Sequence, residues 1–482
     1  MFLKKNCLFY FFLIIALIIP IILQPNYILS NIPSFYDDKR LIELLTINLF
    51  LITLILNKSS REIFCNTFQA LSNESKSSLF LILGFIVLSS FLSKNQNISY
   101  LQLSLYLGLF FLIISIASLT RLNVNLIQII FLTAIFTSLL LYLINTFVVY
   151  LASFIENIPM KWPEPFNGFS NIRFFNQYQI WSISLLSLPL IIYPSVDKRI
   201  IKLIKAIAIG WTILLFASGS RGAVGSIILS MLVTLFIFRG YAKLYLKLNS
   251  LFLIAGFIGY ILLFKLIPYL AESDVTIGWR SVEGITSSSG RIELWQYAIQ
   301  YIIDSPWLGI GPMHYAYYPG PTHAHPHNSL LQWACEMGIP STLLVLSLIF
   351  SGLYNWVKKF YILTNSESLY VPSHLWIGLF CTLCSGLIYS LVSGVIVMPL
   401  SQIMMALIIG WMLGIYFQDQ ESKPVSQLQH IGLMLLAGAT LITLTYTALP
   451  SLLPRLHSYA DLPYQDYPII APRFWQIGGI PH

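Results

Sequence analysis

The sequence predicts an all-α integral membrane protein that crosses the bilayer many times. The chain has 482 residues, of which 57% are hydrophobic and only 10% are charged, and its mean hydropathy is +0.76. A soluble protein of this length needs more charge to cover its surface. Apolar runs long enough to span a bilayer, roughly 17–25 residues each, recur from end to end and predict about 12–13 transmembrane helices.

The individual spans follow from these apolar runs. We expect them near 8–23, 41–57, 78–93, 100–119, 126–151, 179–194, 200–217, 222–238, 248–270, 340–357, 374–395, 399–417 and 431–449. The first run lacks a small-residue cleavage site, and further spans follow it, so we interpret it as an uncleaved first helix. Ionisable residues are rare in these spans, and Lys265 lies near the end of one.

Lysines and arginines indicate the orientation. With a cytoplasmic N-terminus and alternating spans, most of them fall in inside connections, as the positive-inside rule requires. Lys39 and Arg40 belong to an outside connection in this scheme. The net charge of +8 is therefore mostly topological. A nucleic-acid-binding protein would cluster these charges on one soluble face, so we expect no nucleic-acid partner.

Polar stretches divide the chain into five predicted segments. These are N-terminal helices with a first outer loop (1–178), central helices (179–270), a large outer loop (271–339), C-terminal helices (340–449) and an outer tail (450–482). Intramembrane carboxylates and internal repeats, which are typical of transporters, are missing from the sequence pattern. We therefore expect a site at the outer membrane boundary and not a pore.

Two arginines are each predicted at the start of a helix on the outer side. Arg221 follows Ser220 in the turn of "SRGAVGS", directly before the span expected at 222–238. Arg291 follows Gly290, a candidate cap of a surface helix with Ile292, Trp295, Ile299 and Ile302 along one face, which Asp304-Ser-Pro ends. A helix start prefers anions, so an arginine there suggests a bound phosphate or pyrophosphate. The alternative is that both are ordinary interfacial arginines.

Alternating histidines form the third element. His323, His325 and His327 would lie on one side of an extended segment, before a short helix of about 328–337 that Gly338 and Pro340 end. Zinc binding and a purely structural role are both possible for such residues. General-base catalysis is the third possibility, because imidazole titrates near neutral pH. One base and two anion-binding arginines suit transfer onto an alcohol from a phosphate-bearing leaving group.

These motifs resemble the O-antigen ligase family of bacterial membrane glycosyltransferases. The resemblance rests on "SRGA" at 220–223, "GRIELW" at 290–295 and "HPHNSLLQWACEMGIP" at 325–340, and it covers roughly 200–360. The ligase motif of the family is His-Asn, nine residues, Gly, two residues, then Gly, Thr or Tyr. His327, Asn328 and Gly338 fit this pattern, whereas Ser341 departs from it.

The resemblance implies a donor glycan on undecaprenyl diphosphate at the periplasmic face of the bacterial inner membrane, with no metal or other cofactor. It makes His327 the base that deprotonates the acceptor hydroxyl in one inverting step, and it assigns the pyrophosphate to Arg221 and Arg291. Further candidates for contacts with the donor or substrate are Arg173, Asn176, Gln177, His314, His325 and Asn328.

Three enzymes within this superfamily differ in their acceptor. The ligase uses lipid A core, the polymerase uses a growing glycan, and the O-oligosaccharyltransferase uses a serine or threonine of a protein. The short predicted tail favours the ligase or polymerase. Outside the enzyme class, a lipid-linked glycan flippase remains an alternative, which would need a polar path through the spans.

Overall fold

The computed structural model describes residues 35–158, 160, 165–273, 275, 290–318, 320–321, 323–369, 371–457 and 473–475. Every regular element in these ranges is helical, which confirms the all-α polytopic class. The expected first span at 8–23 lies outside the described residues, as do most of the tail and residues 276–289 of the large loop.

The helices have the following bounds. They are α1 Phe35–Leu56, α2 Lys58–Gln69, α3 Asn73–Leu92, α4 Gln96–Leu122, α5 Val124–Ile155, α6 Ile172–Ile183, α7 Leu188–Ile192, α8 Lys198–Ala217, α9 Arg221–Phe238, α10 Lys243–Ile261, α11 Ile267–Leu270, α12 Arg291–Asp304, α13 Ser329–Asn365, α14 Ser373–Ser390, α15 Pro399–Tyr416 and α16 Gln427–His457. A 3₁₀ turn joins α9 to α10, a π turn joins α10 to α11, and a further 3₁₀ turn spans His314–Ala316.

Within the described ranges, nine helices are long and apolar enough to cross a membrane, or ten if the bent pair of α1 and α2 forms one span. This count takes Arg221–Leu270 as a single helix of 50 residues. Such a helix would extend about 75 Å, more than twice the hydrocarbon core. Arg239 interrupts it with a φ of +50°, so the two spans expected at 222–238 and 248–270 remain compatible with the structure.

The chain forms two compact units. The described residues of Asn125–Ser287 and Leu363–Tyr389 make up unit 1, and those of Pro25–Val124, Ser288–Ile362 and Ser390–His482 make up unit 2.

In unit 1, the span predicted at 179–194 is wrong. Residues 179–194 do not form a continuous helix, because α6 ends at Ile183 and the short α7 begins at Leu188. Pro189 lacks the amide hydrogen that would continue the earlier helix. Neighbouring side chains bind the polar groups of this break: Tyr245 donates to the Ser184 carbonyl over 2.7 Å, and Asn249 donates to Ser187 Oγ over 2.7 Å. A broken helix is tolerated in a membrane when such partners are present.

Unit 2 corrects a second expectation. Lys39 and Arg40 were expected in an outside connection, but both lie buried within α1. Arg40 bonds to Glu43, to Gln402 Oε1 at 2.6 Å and to the Val397 carbonyl at 2.7 Å. The spans are therefore less free of charge than the sequence suggested. The apolar runs mark where helices lie, but a charged residue at the end of a run is drawn inside once other helices supply its partners.

Candidate functional site

The three histidines of the loop before α13 come together in unit 2. The His327 ring lies 4.2 Å from the His325 ring and 5.4 Å from the His323 ring, measured between centroids. His327 has a φ of +54°, so the segment is not extended at this residue as the alternation suggested. The left-handed turn brings the His327 ring back against both neighbours. Such a conformation is uncommon for a residue other than glycine and clusters at functional sites.

The helix that follows begins where the sequence predicted. Asn328 Oδ1 accepts from the Leu331 backbone amide at 3.0 Å, so the Asn328 side chain caps α13. The N-cap fixes the residue that directly follows His327. Asn328 was expected to contact substrate, and the described contact of its oxygen is this cap.

Gly338 breaks α13 because another segment lies against it. Its φ is +83°, and a β-carbon there would collide with the Trp307 carbonyl. The segment around Trp307 bonds to the break through Ile310 N to the Cys335 carbonyl at 2.8 Å and Ile339 N to the Pro306 carbonyl at 2.8 Å. The glycine of the motif therefore has a physical cause: left-handed backbone and close approach of a neighbouring chain.

The helix that carries Arg291 is tied to the histidine segment. Trp295 donates from Nε1 to the Pro326 carbonyl at 3.0 Å, between His325 and His327. Tyr315 donates to the Leu294 carbonyl at 2.8 Å on the same helix, α12. The "GRIELW" and "HPHN" motifs thus contact each other, and Arg291 starts a helix that holds the histidine turn.

The side of α12 that packs on the protein is distinct from the apolar face that the sequence predicts toward the membrane surface. Leu294 and Ala298 are its buried residues, and Ala298 packs with Tyr315 and Cys335. Ile292 and Ile299, expected on the face toward the membrane surface, are 59% and 47% exposed. Their side chains leave an apolar stripe that suits a membrane surface, which stays a prediction.

The environment of His325 keeps its imidazole neutral. His325 Nδ1 accepts from the His327 amide at 3.3 Å, so its proton lies on Nε2. Burial lowers the pKa of His325 well below its usual value, and the charges of His327, Arg473 and His323 lower it further. The ring also packs against Gly394, where a β-carbon would lie 2.5 Å from Cε1. Burial also lowers the pKa of His323, against which the Glu293 charge acts.

His314 has a structural environment. Its Nε2 accepts from the Asn95 amide at 3.0 Å, and its Nδ1 lies 3.0 Å from the Pro312 carbonyl. Burial is the largest cause that lowers the pKa of this imidazole. Both ring nitrogens are engaged inside unit 2, which gives His314 a part in holding the loop, and its contact with the donor stays a prediction.

A second group of candidate residues lies in unit 1. Asn171 caps α6 by accepting from the Arg173 amide at 2.9 Å, and Arg221 starts α9 after Ser220. Asn176 Nδ2 donates to Ser218 Oγ at 2.8 Å, which ties the Arg173 helix to the turn before Arg221. This contact brings the "NIRFFNQYQ" and "SRGA" motifs together.

Exposure separates these unit 1 candidates. Arg221 is exposed and Arg173 is half-buried, so their guanidinium groups can reach a ligand. Asn176 and Gln177 are buried. Asn176 holds the turn through Ser218, and the expected contacts of Asn176 and Gln177 with substrate stay predictions.

An ion pair that was not predicted from the sequence lies beside the histidines. Glu336 of α13 binds Arg473 of the C-terminal tail, with Oε2 and Nη2 2.5 Å apart, and both side chains are buried. The available signal was composition: in a chain with so few charges, a glutamate next to a predicted span and an arginine between prolines and aromatics are both unusual. Among the described residues, no group of three or more His, Cys, Asp or Glu side chains has the arrangement of metal ligands.

The fold is that of a multi-pass helical membrane protein, in which the histidine and Arg291 motifs are joined within unit 2 and the Arg173 and Arg221 motifs are joined within unit 1. Comparison with known families agrees with this class: the family model described as O-antigen ligase matches residues 206–346, less than a third of the chain, which contain Arg221, Arg291 and His327. This match supports membership of the O-antigen ligase family. It likewise supports a membrane glycosyltransferase of the O-antigen ligase or polymerase type, for which the family implies a lipid-linked glycan donor. A search of curated proteins found no match.

Proposed function

We propose that this chain transfers a glycan from undecaprenyl diphosphate to an acceptor hydroxyl at the periplasmic face of the bacterial inner membrane. The observation that supports this most is the hydrogen bond from Trp295 to the Pro326 carbonyl. It joins the helix of one candidate phosphate-binding arginine, Arg291, to the turn of the candidate base, His327.

His327 acts as the general base. Its left-handed backbone turns the imidazole against two other histidine rings, and the following residue caps a helix. The chain therefore specifies where this ring lies. Proton removal by a positioned imidazole contributes typically 10²–10⁴-fold in rate.

Arg221 and Arg291 bind the diphosphate, as the family resemblance implies. Each starts a helix, where the free backbone amides and the dipole favour an anion. A guanidinium fork binds a phosphate oxygen pair that an ammonium cannot. Arg173, one residue into α6, is a further donor contact.

The reaction proceeds in one displacement. The acceptor oxygen attacks the anomeric carbon of the donor sugar while His327 takes the hydroxyl proton. The bond between this carbon and the phosphate oxygen breaks, and its electron pair leaves with undecaprenyl diphosphate. The configuration of the anomeric carbon is inverted. The charge that develops on the leaving diphosphate is what the arginines stabilise, and this needs no metal.

The acceptor is lipid A core in the ligase, a growing glycan in the polymerase, or a protein hydroxyl in the O-oligosaccharyltransferase. The test presents purified protein in lipid nanodiscs with an undecaprenyl-diphosphate glycan and each of the three acceptors, with and without EDTA. We expect one acceptor to be glycosylated in both conditions, with release of one undecaprenyl diphosphate per transfer and an inverted linkage.

Two results would contradict the proposal. Loss of transfer in EDTA with recovery on adding a divalent metal would contradict the metal-free mechanism. Movement of the donor across a liposome membrane, with none of the three acceptors modified, would make the chain a flippase.

A further inference from the structure

The C-terminal tail contributes a buried arginine to the helix that begins beside the histidines. Arg473 is 2% exposed, and Glu336, its ion-pair partner, is fully buried. The Gln332 side-chain amide also lies against the guanidinium, and with its oxygen turned toward Arg473 it accepts from both Nη atoms. One side chain of the tail therefore grips two residues, one turn apart, in the first part of α13.

Helix α1 holds the backbone of this tail segment. Tyr36 donates to the Arg473 carbonyl at 2.7 Å, and Arg40 Nε donates to the Phe474 carbonyl at 2.8 Å. The Arg40 guanidinium also bonds to the Val397 carbonyl, three residues after the Gly394 that supports the His325 ring. Helix α1 therefore fixes the backbone of Arg473 and also binds the segment that packs against the His325 ring.

The grip of Arg473 is transmitted to the histidines through α13. The backbone amide of Gln332 donates to the Asn328 carbonyl at 2.9 Å in the first helical turn, and Asn328 directly follows His327. On the other side, Glu336 Oε1 accepts from the Tyr315 amide at 3.3 Å. Glu336 therefore links the start of α13 to the turn that supports α12.

A buried ion pair is a poor way to add stability. Removing two charges from water costs several kcal/mol for each ion, and apolar residues of the same volume often stabilise a protein as well or better. What such a pair adds is a defined geometry. That is the quantity a catalytic base requires, since small misplacements of reacting groups are costly.

We propose that Arg473 is a positioning residue for His327: by clamping Glu336 and Gln332 it fixes the start of α13, from which the histidine turn projects. This inference rests on the proposed function, in which His327 is the base. Arg473 lies outside residues 206–346, which the family model matches, so the inference makes the C-terminal tail a part of the active site.

The charge of Arg473 supplies a readout that a merely structural residue would not change. The charged and titratable groups facing His325 are His323 and His327 from its own segment and Arg473 from the tail, and Arg473 helps to lower the pKa of His325. Glu293 of α12 acts on His323, and Glu336 is the partner of Arg473. Removing the arginine charge raises the pKa of His325, whose ring lies 4.2 Å from the His327 ring, so the loss of activity as His325 takes up a proton begins at higher pH.

The experiment measures glycan transfer against pH for the full-length protein in nanodiscs, with an undecaprenyl-diphosphate glycan as donor. Arg473→Gln is expected to lower kcat about 10- to 100-fold with little change in KM and to shift the acid limb upward. Arg473→Lys keeps the charge but loses the fork, so kcat falls while the limb stays in place. The matched control is Lys359→Gln, which removes the Lys359–Asp419 pair of the same unit and is expected to change neither quantity.

A double variant, Arg473→Gln with Glu336→Gln, leaves no charge unpaired and decides the matter if Arg473→Gln does not fold. The double variant is expected to show the same kcat loss and limb shift as Arg473→Gln, because the two residues act as one unit. Unchanged kcat, or an equal loss at every pH with an unmoved limb, would overturn the positioning role while leaving the proposed function intact. Absence of transfer by the unmodified protein would overturn the proposed function itself, and this inference with it.

Discussion

Trp295 and Pro326 are joined by one hydrogen bond, 3.0 Å from the indole Nε1 to the prolyl carbonyl. This bond connects a surface helix that begins with Arg291 to the turn between His325 and His327. The two motifs lie about thirty residues apart in sequence, so the contact is tertiary and not a consequence of local chain geometry. It makes the arginine helix part of the support for the candidate base.

Removal of this bond is expected to impair transfer more than folding. Trp295→Phe keeps the aromatic body and deletes the donor, which costs about 1 kcal/mol of stability for an ordinary hydrogen bond. We expect transfer to fall roughly tenfold, because the histidine turn is no longer held. Trp333→Phe, which deletes the indole bond to Ser341 Oγ at 3.0 Å, is the control. An equal loss of transfer in both variants would show that the Trp295 bond has no special role.

Two glycines of α13 offer a matched pair. Gly338→Ala is expected to destabilise the protein by more than about 1 kcal/mol and to lower activity, because φ is +83° and the Trp307 carbonyl fills the space. Gly352 lies in the same helix, and a β-carbon there would have no other atom within 4 Å. Gly352→Ala should be neutral or stabilise by up to about 1 kcal/mol. Thermal unfolding in detergent measures both, and equal midpoints would contradict this explanation of the glycine in the motif.

Stability is expected to depend on pH through His325. Its folded pKa lies well below the ordinary value of 6.5, so the unfolded chain takes up the proton first as the pH falls. Stability is therefore fully present above about pH 6.5 and is lost below it, by at most about 1.4 kcal/mol per pH unit for each such histidine. His325→Gln should flatten this dependence in melts between pH 7.5 and 5. A slope in the variant as steep as in the unmodified protein would assign it to other groups.

Arginines at the two ends of α9 allow the role of Arg221 in donor binding to be tested against a matched control. Arg221→Lys is expected to lower kcat/KM for the donor by about 10²-fold, since an ammonium does not replace a bidentate guanidinium at a phosphate. Arg239→Lys, directly after the same helix, should leave the donor kinetics unchanged. Steady-state kinetics with purified protein measures both. Similar kinetics for the two variants would remove Arg221 from the donor site.

Local signals in the sequence predicted a large part of this structure. Apolar runs indicated most of the described spans, and turn residues indicated the starts of the helices at Arg221 and Arg291 and the break at Gly338. The buried pair of Glu336 and Arg473 was not predictable in this way, since its members are 137 residues apart. The same holds for Arg40, whose partners come from residues near 400 and 473.

The candidate site shows the same division. The gathering of the three histidines followed from their spacing, but the left-handed turn at His327 did not. The partners of Asn176 and His314 were also not predictable: Ser218 binds the first, and Asn95 and Pro312 bind the second. A single sequence displays which polar groups exist, and packing decides which of them face inward.

The most direct test of the account is the transfer rate of His327→Ala under single-turnover conditions, with donor and acceptor saturating and folding verified by thermal melting. His430→Ala, which removes an imidazole at the start of α16, is the control. The account predicts that His327→Ala loses at least about a hundredfold while the control keeps its rate. A rate for His327→Ala within a factor of about two of the unmodified protein would contradict the assignment of His327 as the base.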